Sequence, residues 1–374
     1  MVSGRADPQQ SAMLGTGRKA AVGEGMRVGV AFGLAALAGF LATSAHASGR
    51  PDLDAVLARW DRDEHPDLRG VVVVRDGRRV AERYYNGASP SELHDIRSAG
   101  KSITALLVGI AIDRGAIASV DDPVSKYWPE ASGSAIGAVP LRDVVSMRSG
   151  LAAFDEDPAS SGNEDRMDAS DNPMAFVRHI PSAEAPGTRY RYNSATAYTA
   201  GVVVAKATGE TMSSFARARL FRPLGITRWD WQSDASGMTK GQGNLSLTTR
   251  ELASIGEMVR NNGRFQGRQI VSAHWIAAML APHVSIGADD PYADQYGYFW
   301  YGKVQHVAGK ALPVSFASGN GGNKIYVIPA CHLVVAITSS AYGHGYGQRR
   351  SETILRGVLA TEVQAGECQT SGSR

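Results

Sequence analysis

The sequence contains one Ser-x-x-Lys, Ser98-Ala99-Gly100-Lys101. A serine hydroxyl becomes a useful nucleophile when a neighbouring group takes its proton. On a helix these two side chains stand one turn apart on one face, so the amine reaches the hydroxyl. The segment follows strand-like sequence and opens a helical pattern. That places the Ser98 N–H and hydroxyl at the positive end of a helix dipole, where a developing oxyanion is stabilised. Lys101 acts as a base only after losing its proton, and burial is expected to lower its pKa in that direction. The same four residues also fit an N-cap serine followed by a surface lysine.

Two further segments bear on this chemistry. Tyr190-Arg191-Tyr192-Asn193-Ser194 follows Pro186-Gly187 and precedes a helical pattern. A phenol at such a junction can stand opposite Ser98 and carry a proton to a leaving group, the more so if a cationic Lys101 favours its phenolate. The alternative is a buried aromatic with a bonded hydroxyl. Ala317-Ser318-Gly319-Asn320-Gly321-Gly322 ends a strand-like run. Its glycines admit a substrate close to the backbone, where an N–H can serve as a second oxyanion donor. A plain glycine hairpin fits the same residues.

Other mechanisms lack their signatures. The sequence has no Gly-x-Ser-x-Gly, no His-Glu-x-x-His and no Gly-x-x-x-x-Gly-Lys-Ser/Thr. Two cysteines without a Cys/His cluster exclude a thiolate zinc site, and no cofactor is called for. Lone histidines such as His179, His274 and His306 receive no role.

The composition is that of an ordinary globular chain, 43% hydrophobic and 20% charged, with 39 Lys+Arg against 36 Asp+Glu. Nothing in that balance points to nucleic acid. Residues 1–47 read as a secretory signal with its start expected at Met26: Arg18, Lys19 and Arg27 precede an apolar run from Val28 to Leu41, and Ala45-His46-Ala47 offers cleavage after Ala47. The run of 14 residues falls short of the roughly 20 that a spanning helix needs. Removal leaves 35 basic and 34 acidic residues, a net charge of +1. The expected location is periplasmic or secreted, with no membrane span after signal removal and no statement on oligomeric state. In an oxidising compartment Cys331 and Cys368 are expected to pair, tying down the C-terminal tail; two free thiols are the alternative.

The elements that must position these residues read as follows. Leu53 to Trp60 is a short helix. Strand-like runs at 69–75 and 78–85 flank Asp76-Gly77, a two-residue hairpin signal. Helical spacing returns at Ser98 to Ile117, Leu141 to Met147, Ser194 to Thr208, Met212 to Leu220, Thr249 to Asn261 and Ala273 to Leu280. Strands follow at Tyr296 to Val304, Val314 to Ala317, Lys324 to Ile328 and Leu333 to Thr338, then a helix from Ser351 to Val363. This is an α+β arrangement in one domain, 48–374. One antiparallel sheet is built from both ends (52–95 and 291–368), with a helical lobe (96–290) inserted. The polar stretch Asp155 to Asp171 fits either a substrate entrance or an ordinary solvated loop. The aromatic run Tyr296 to Tyr301 fits a cleft wall or sheet core equally.

Taken together, the segments resemble the serine β-lactamase-like, penicillin-recognising hydrolases, whose Ser-x-x-Lys, Tyr-x-Asn or Ser-x-Asn, and Lys-Thr-Gly signatures occur in this order. The resemblance spans most of 52–364 and includes Leu141 to Leu151 (LRDVVSMRSGL), Pro186 to Gly201 and Leu245 to Trp275. It implies a β-lactamase/DD-peptidase-like fold, with Ser98 as nucleophile, Lys101 as its base and Tyr192 as the tyrosine of the second signature. In that signature Ser194 replaces the usual Asn, or the Asn is displaced by one. In the third, Ala317-Ser318-Gly319 stands for Lys-Thr-Gly, and the missing cation could come from Lys310 or Lys324. The departure favours the branch resembling carboxylesterases and 6-aminohexanoate-dimer hydrolases: a serine hydrolase of a small ester or amide, its oxyanion held near Ser98, Ser318, Gly319 and Asn320. A β-lactamase or D-alanyl-D-alanine carboxypeptidase, and a catalytically silent binding protein, are the alternatives.

Overall fold

Asp76 and Gly77 both take left-handed backbone angles, φ 47° and 74°, as a tight two-residue hairpin requires. They join β1 (Leu68–Arg75) to β2 (Arg78–Tyr84). The computed structural model describes residues 51–369; the expected signal, its start at Met26 and its cleavage after Ala47 lie outside the described residues. The hairpin forms one end of an eight-stranded sheet. The other strands are β3 (Val284–Ser285), β4 (Gln295–Tyr296), β5 (Tyr301–Val307), β6 (Lys310–Gly319), β7 (Asn323–Ile328) and β8 (Leu333–Ser339). Their order is β2-β1-β8-β7-β6-β5-β4-β3. β1 pairs antiparallel with β8, Val73 opposite Val335, so strands from both ends of the described chain lie side by side in the sheet. The fold is of the α+β class.

Helices cover both faces. α1 (Pro51–Ala58) buries Leu53 and Leu57, one turn apart, and packs against α6 (Gly345–Gln364) on one side. On the other side lie α2 (Ala99–Asp113) and α4 (Thr249–Arg260), the latter opened by a capping box of Thr248 and Glu251. Between them in sequence come α3 (Ser194–Thr208), which packs on α2, and, after α4, α5 (Ala273–Leu280). β7 and β8 are buried along their whole length because both faces are covered. No helix among the described residues is long and apolar enough to cross a membrane.

Three expectations change in detail. The aromatic run expected as one strand from Tyr296 leaves the sheet after Tyr296, passes through Phe299 at φ 54°, and resumes as β5 at Tyr301. Tyr296, Phe299 and Trp300 are buried in the core. The final helix begins at Gly345, well before Ser351. The polar stretch after Asp155 is not unbroken loop: Asn163 caps a short helix, Glu164–Asp168, accepting from the N–H groups of Asp165 and Arg166. Cys331 and Cys368 form a disulfide. Cys331 lies in the turn between β7 and β8.

Candidate active site

A short strand, His94–Asp95, pairs with Leu245–Leu247 and delivers the chain to α2. Between them Arg97 adopts φ 52°, a conformation that costs a non-glycine residue energy and persists only where its surroundings hold it. Here the Asp95 carboxylate accepts from the Arg97 N–H at 2.8 Å, and the guanidinium lies 4.2 Å over the Tyr342 ring. Ser98 follows at the N-cap of α2, but its side chain makes no capping bond. The hydroxyl instead meets Lys101, whose Nζ donates to Ser98 Oγ at 2.9 Å.

Lys101 is 1% exposed. Its Nζ also reaches Ser194 Oγ at 3.1 Å and the carbonyl oxygen of Gln242 at 2.8 Å. The segment carrying Gln242 is clamped to α2 by Thr104 Oγ1, which donates to the Gly241 carbonyl at 2.8 Å. Gly243 lies so near that a Cβ on it would stand 3.0 Å from the Arg97 carbonyl oxygen. The amine therefore sits in a pocket of acceptors drawn from three parts of the chain.

The expected direction of the Lys101 pKa is overturned. Burial does press it down, but charge interactions with Tyr192, Glu164 and Asp155 outweigh that and hold the amine above its ordinary value. That direction favours the ammonium form, whose three N–H donors match the three oxygens around it.

Tyr192 flanks this ion, its ring centroid 5.0 Å from Nζ. Tyr190 instead packs edge-on to Tyr296 at 5.2 Å and is a wall of the cleft. Asn193 turns away: its Oδ1 caps α3 by accepting from the Thr196 N–H at 2.8 Å. From the other side the end of β6 closes on α2. A Cβ on Gly319 would lie 2.0 Å from the Ile96 carbonyl oxygen and 3.0 Å from the Ala99 nitrogen. Only a hydrogen fits there, so the backbone of Gly319 and Asn320 runs beside Ser98. Ser98, Tyr192, Ser318, Gly319 and Asn320 line one cleft of about 580 Å³.

A model of the Beta-lactamase family matches residues 58–358. The chain belongs to that family. The 6-aminohexanoate-dimer hydrolase of Paenarthrobacter ureafaciens is 29% identical over 249 residues, 62% of this chain and 60% of that relative, so the match spans less than two thirds of the relative's length. Among solved structures, one provisionally assigned as a 6-aminohexanoate-dimer hydrolase from Bacillus anthracis superposes with a TM-score of 0.68 at 20% identity, over 80% of each chain. The octameric penicillin-binding protein homologue from Pyrococcus abyssi superposes at 0.63 and 20% identity, over 82% of this chain and 77% of that one. These structures share the fold.

Within the Beta-lactamase family the second signature departs in a way the structure explains. Ser194, not Asn193, presents its side chain to Lys101, because the asparagine is committed to capping α3. Of the two lysines that could stand in for the third signature's cation, one reaches the cleft. Lys310 is bonded to the Cys368 carbonyl at 2.6 Å, outside the cleft, whereas Lys324 on β7 lines the cleft and donates to Ser318 Oγ at 2.9 Å.

Asp155 and Gln242 escaped the sequence reading as individual site residues. Asp155 Oδ2 accepts from the Ser194 N–H at 2.8 Å, while its Oδ1 is buried without a partner among the described residues. Burial pushes its carboxyl up to about 6, against the pull of Lys101. The only signal was its place at the edge of a polar stretch. Gln242 gives none, because its contribution is a backbone carbonyl that any residue possesses.

Proposed function

We propose that this protein is a serine hydrolase that cleaves a small ester or amide through an acyl-enzyme on Ser98. The observation that carries the reading is the Lys101 ammonium, bonded to Ser98 Oγ at 2.9 Å and set against the Tyr192 ring inside an open cleft. The ammonium stabilises negative charge arising on Oγ, and Tyr192, acting as the phenolate, takes the hydroxyl proton and becomes the phenol as Oγ attacks the carbonyl carbon. The backbone N–H groups of Ser98 and Asn320 hold the oxyanion, with the α2 dipole behind the first. Tyr192 returns the proton to the departing alcohol or amine, and water then cleaves the acyl-serine bond.

Its hydrolase relatives support this reaction class. Export to the periplasm or beyond is part of the same proposal, supported by the Cys331–Cys368 disulfide. The test is Ser98→Ala, which should abolish turnover of p-nitrophenyl esters and labelling by a fluorophosphonate. Unchanged labelling overturns the assignment. On one purified sample, esters are expected to turn over faster than a chromogenic cephalosporin; the reverse order transfers the reading to β-lactams.

A further inference from the structure

The end of α2 remote from Ser98 opens onto a second cavity. α2 holds 15 residues, so its ends stand about 22 Å apart. This cavity, of about 540 Å³, shares no lining residue with the catalytic cleft. Three arginines line it, each from a different element: Arg114 at the C-cap of α2, Arg219 in a π-helical turn (Arg217–Phe221), and Arg268 in a two-stranded hairpin (Arg264–Phe265 with Arg268–Gln269). Asp113 is the one acid in the lining.

The walls are held without help from these charges. Gln266 and Gly267 turn the hairpin at φ 47° and 79°, and a Cβ on Gly263 would stand 1.9 Å from the Val271 carbonyl oxygen. Gln269 Nε2 donates to the carbonyls of Asn262 at 2.8 Å and Val271 at 2.5 Å. Asp113 Oδ2 accepts from the Ser272 N–H at 2.7 Å, tying the end of α2 to the start of α5. Arg264, on the same hairpin, bonds the Gly267 carbonyl at 3.0 Å.

The three lining arginines have no such engagement. None is in an ion pair among the described residues, and Arg219 Nε is buried without a partner among them. A buried donor lacking an acceptor costs free energy, and cations gathered on one cavity repel one another until an anion joins them. The α2 dipole favours a cation at position 114. That accounts for one of the three and gives no reason for Arg219 and Arg268 to line the same space. Three guanidiniums against one carboxylate leave a charge of +2, the complement of a phosphate monoester, which carries about −1.5 to −2 at pH 7. Guanidinium forks also match phosphate oxygens in pairs. The volume exceeds what bare phosphate fills, and Ile110, Pro223 and Ile270 supply apolar wall for an organic body.

We propose that this cavity binds a small organic phosphate, its phosphoryl oxygens held by Arg114, Arg219 and Arg268 and its apolar part set against Pro223 and Ile270. The site is separate from the reaction at Ser98.

Calorimetry on the purified full chain tests it with phenyl phosphate as the probe. At pH 7 this ligand should bind about ten-fold more tightly than benzenesulfonate, which has the same ring and a single charge. Affinity should fall roughly five-fold or more in each of Arg114→Gln, Arg219→Gln and Arg268→Gln, and should weaken with added salt. Arg114 and Arg268 are exposed, so their variants should melt with the wild type and decide the matter even if Arg219→Gln is unstable. Arg189→Gln, which alters the catalytic cleft, should leave the affinity unchanged. Absence of binding, or binding that survives in both Arg114→Gln and Arg268→Gln, overturns the site. Binding lost in Arg189→Gln alone moves the ligand to the cleft and overturns it equally. Ser98→Ala should bind phenyl phosphate as the wild type does, so this site and the hydrolase reading stand or fall separately. Phosphatidylcholine vesicles containing phosphatidic acid settle the source: arginine-dependent cosedimentation assigns the phosphate to a lipid headgroup, and phenyl phosphate binding without cosedimentation assigns it to a soluble ester.

Discussion

The Lys101 ammonium donates to the carbonyl oxygen of Gln242, 141 positions along the chain, at 2.8 Å. A carbonyl oxygen can only accept, so an N–H of the Lys101 side chain is directed at it. In the proposed mechanism the Tyr192 oxygen is the base that activates Ser98, and the lysine supplies positive charge.

Lys101→Met and Tyr192→Phe should therefore each lower kcat on p-nitrophenyl esters by roughly 10² to 10⁴-fold, the range for removing a positioned proton-transfer group. The double variant should lose much less than the product of the two, because both serve one proton transfer. Steady-state kinetics decide it, and activity within three-fold of wild type in either single variant contradicts the assigned roles.

Asp155 carries a pH dependence. Its carboxyl is raised to about 6 by burial, from 3.8. Its charge is present above that value and helps hold Lys101 protonated; below it the charge is lost. The pH profile of kcat/KM should show an acid limb near 6 that is displaced in Asp155→Asn. The stability effect has a definite sign. With the folded pKa above the unfolded one, stability is lost as pH rises through about 6. Asp155→Asn should thus melt higher than wild type at pH 7 to 8 and show no such gain below pH 4. A limb that stays in place in the variant rules out Asp155 as its source.

Gly319→Ala should damage both stability and the site. Its Cβ would come within 2.0 Å of the Ile96 carbonyl oxygen, a backbone atom two residues before Ser98. Relieving that overlap requires separating β6 from α2, at a cost of about 1–3 kcal/mol or more. Thermal melting and fluorophosphonate labelling should fall together. Labelling at the wild-type rate would mean that the contact between these elements does not position the nucleophile.

The disulfide should matter for stability alone. It joins residues 37 apart, and closing such a loop contributes about 2–4 kcal/mol through the unfolded state. Cys331 sits at the end of β7 opposite to Asn323, which neighbours the cleft. Cys331→Ser/Cys368→Ser should lower the denaturant midpoint and leave kcat/KM at 25 °C unchanged. An equal loss of activity under folded conditions would tie the C-terminal tail to the cleft.

The sequence by itself determined the hairpin at Asp76-Gly77, the helix behind Ser98 and the antiparallel strands near the C-terminus. Each rests on local chemistry: turn residues, capping and the spacing of apolar side chains. It also placed Lys101 one turn from Ser98, since that separation is a property of any helix. Tertiary structure decided the rest. The upward direction of the Lys101 pKa comes from Asp155, Glu164 and Tyr192, distant in sequence, against the burial effect that sequence reasoning had expected to prevail. Which lysine reaches the cleft depends on strand register, which sets Lys324 opposite Ser318 while Lys310 reaches the tail. Both are matters of which groups lie within a few ångströms through space, and electrostatic energy at that range depends on distance and burial rather than on order along the chain.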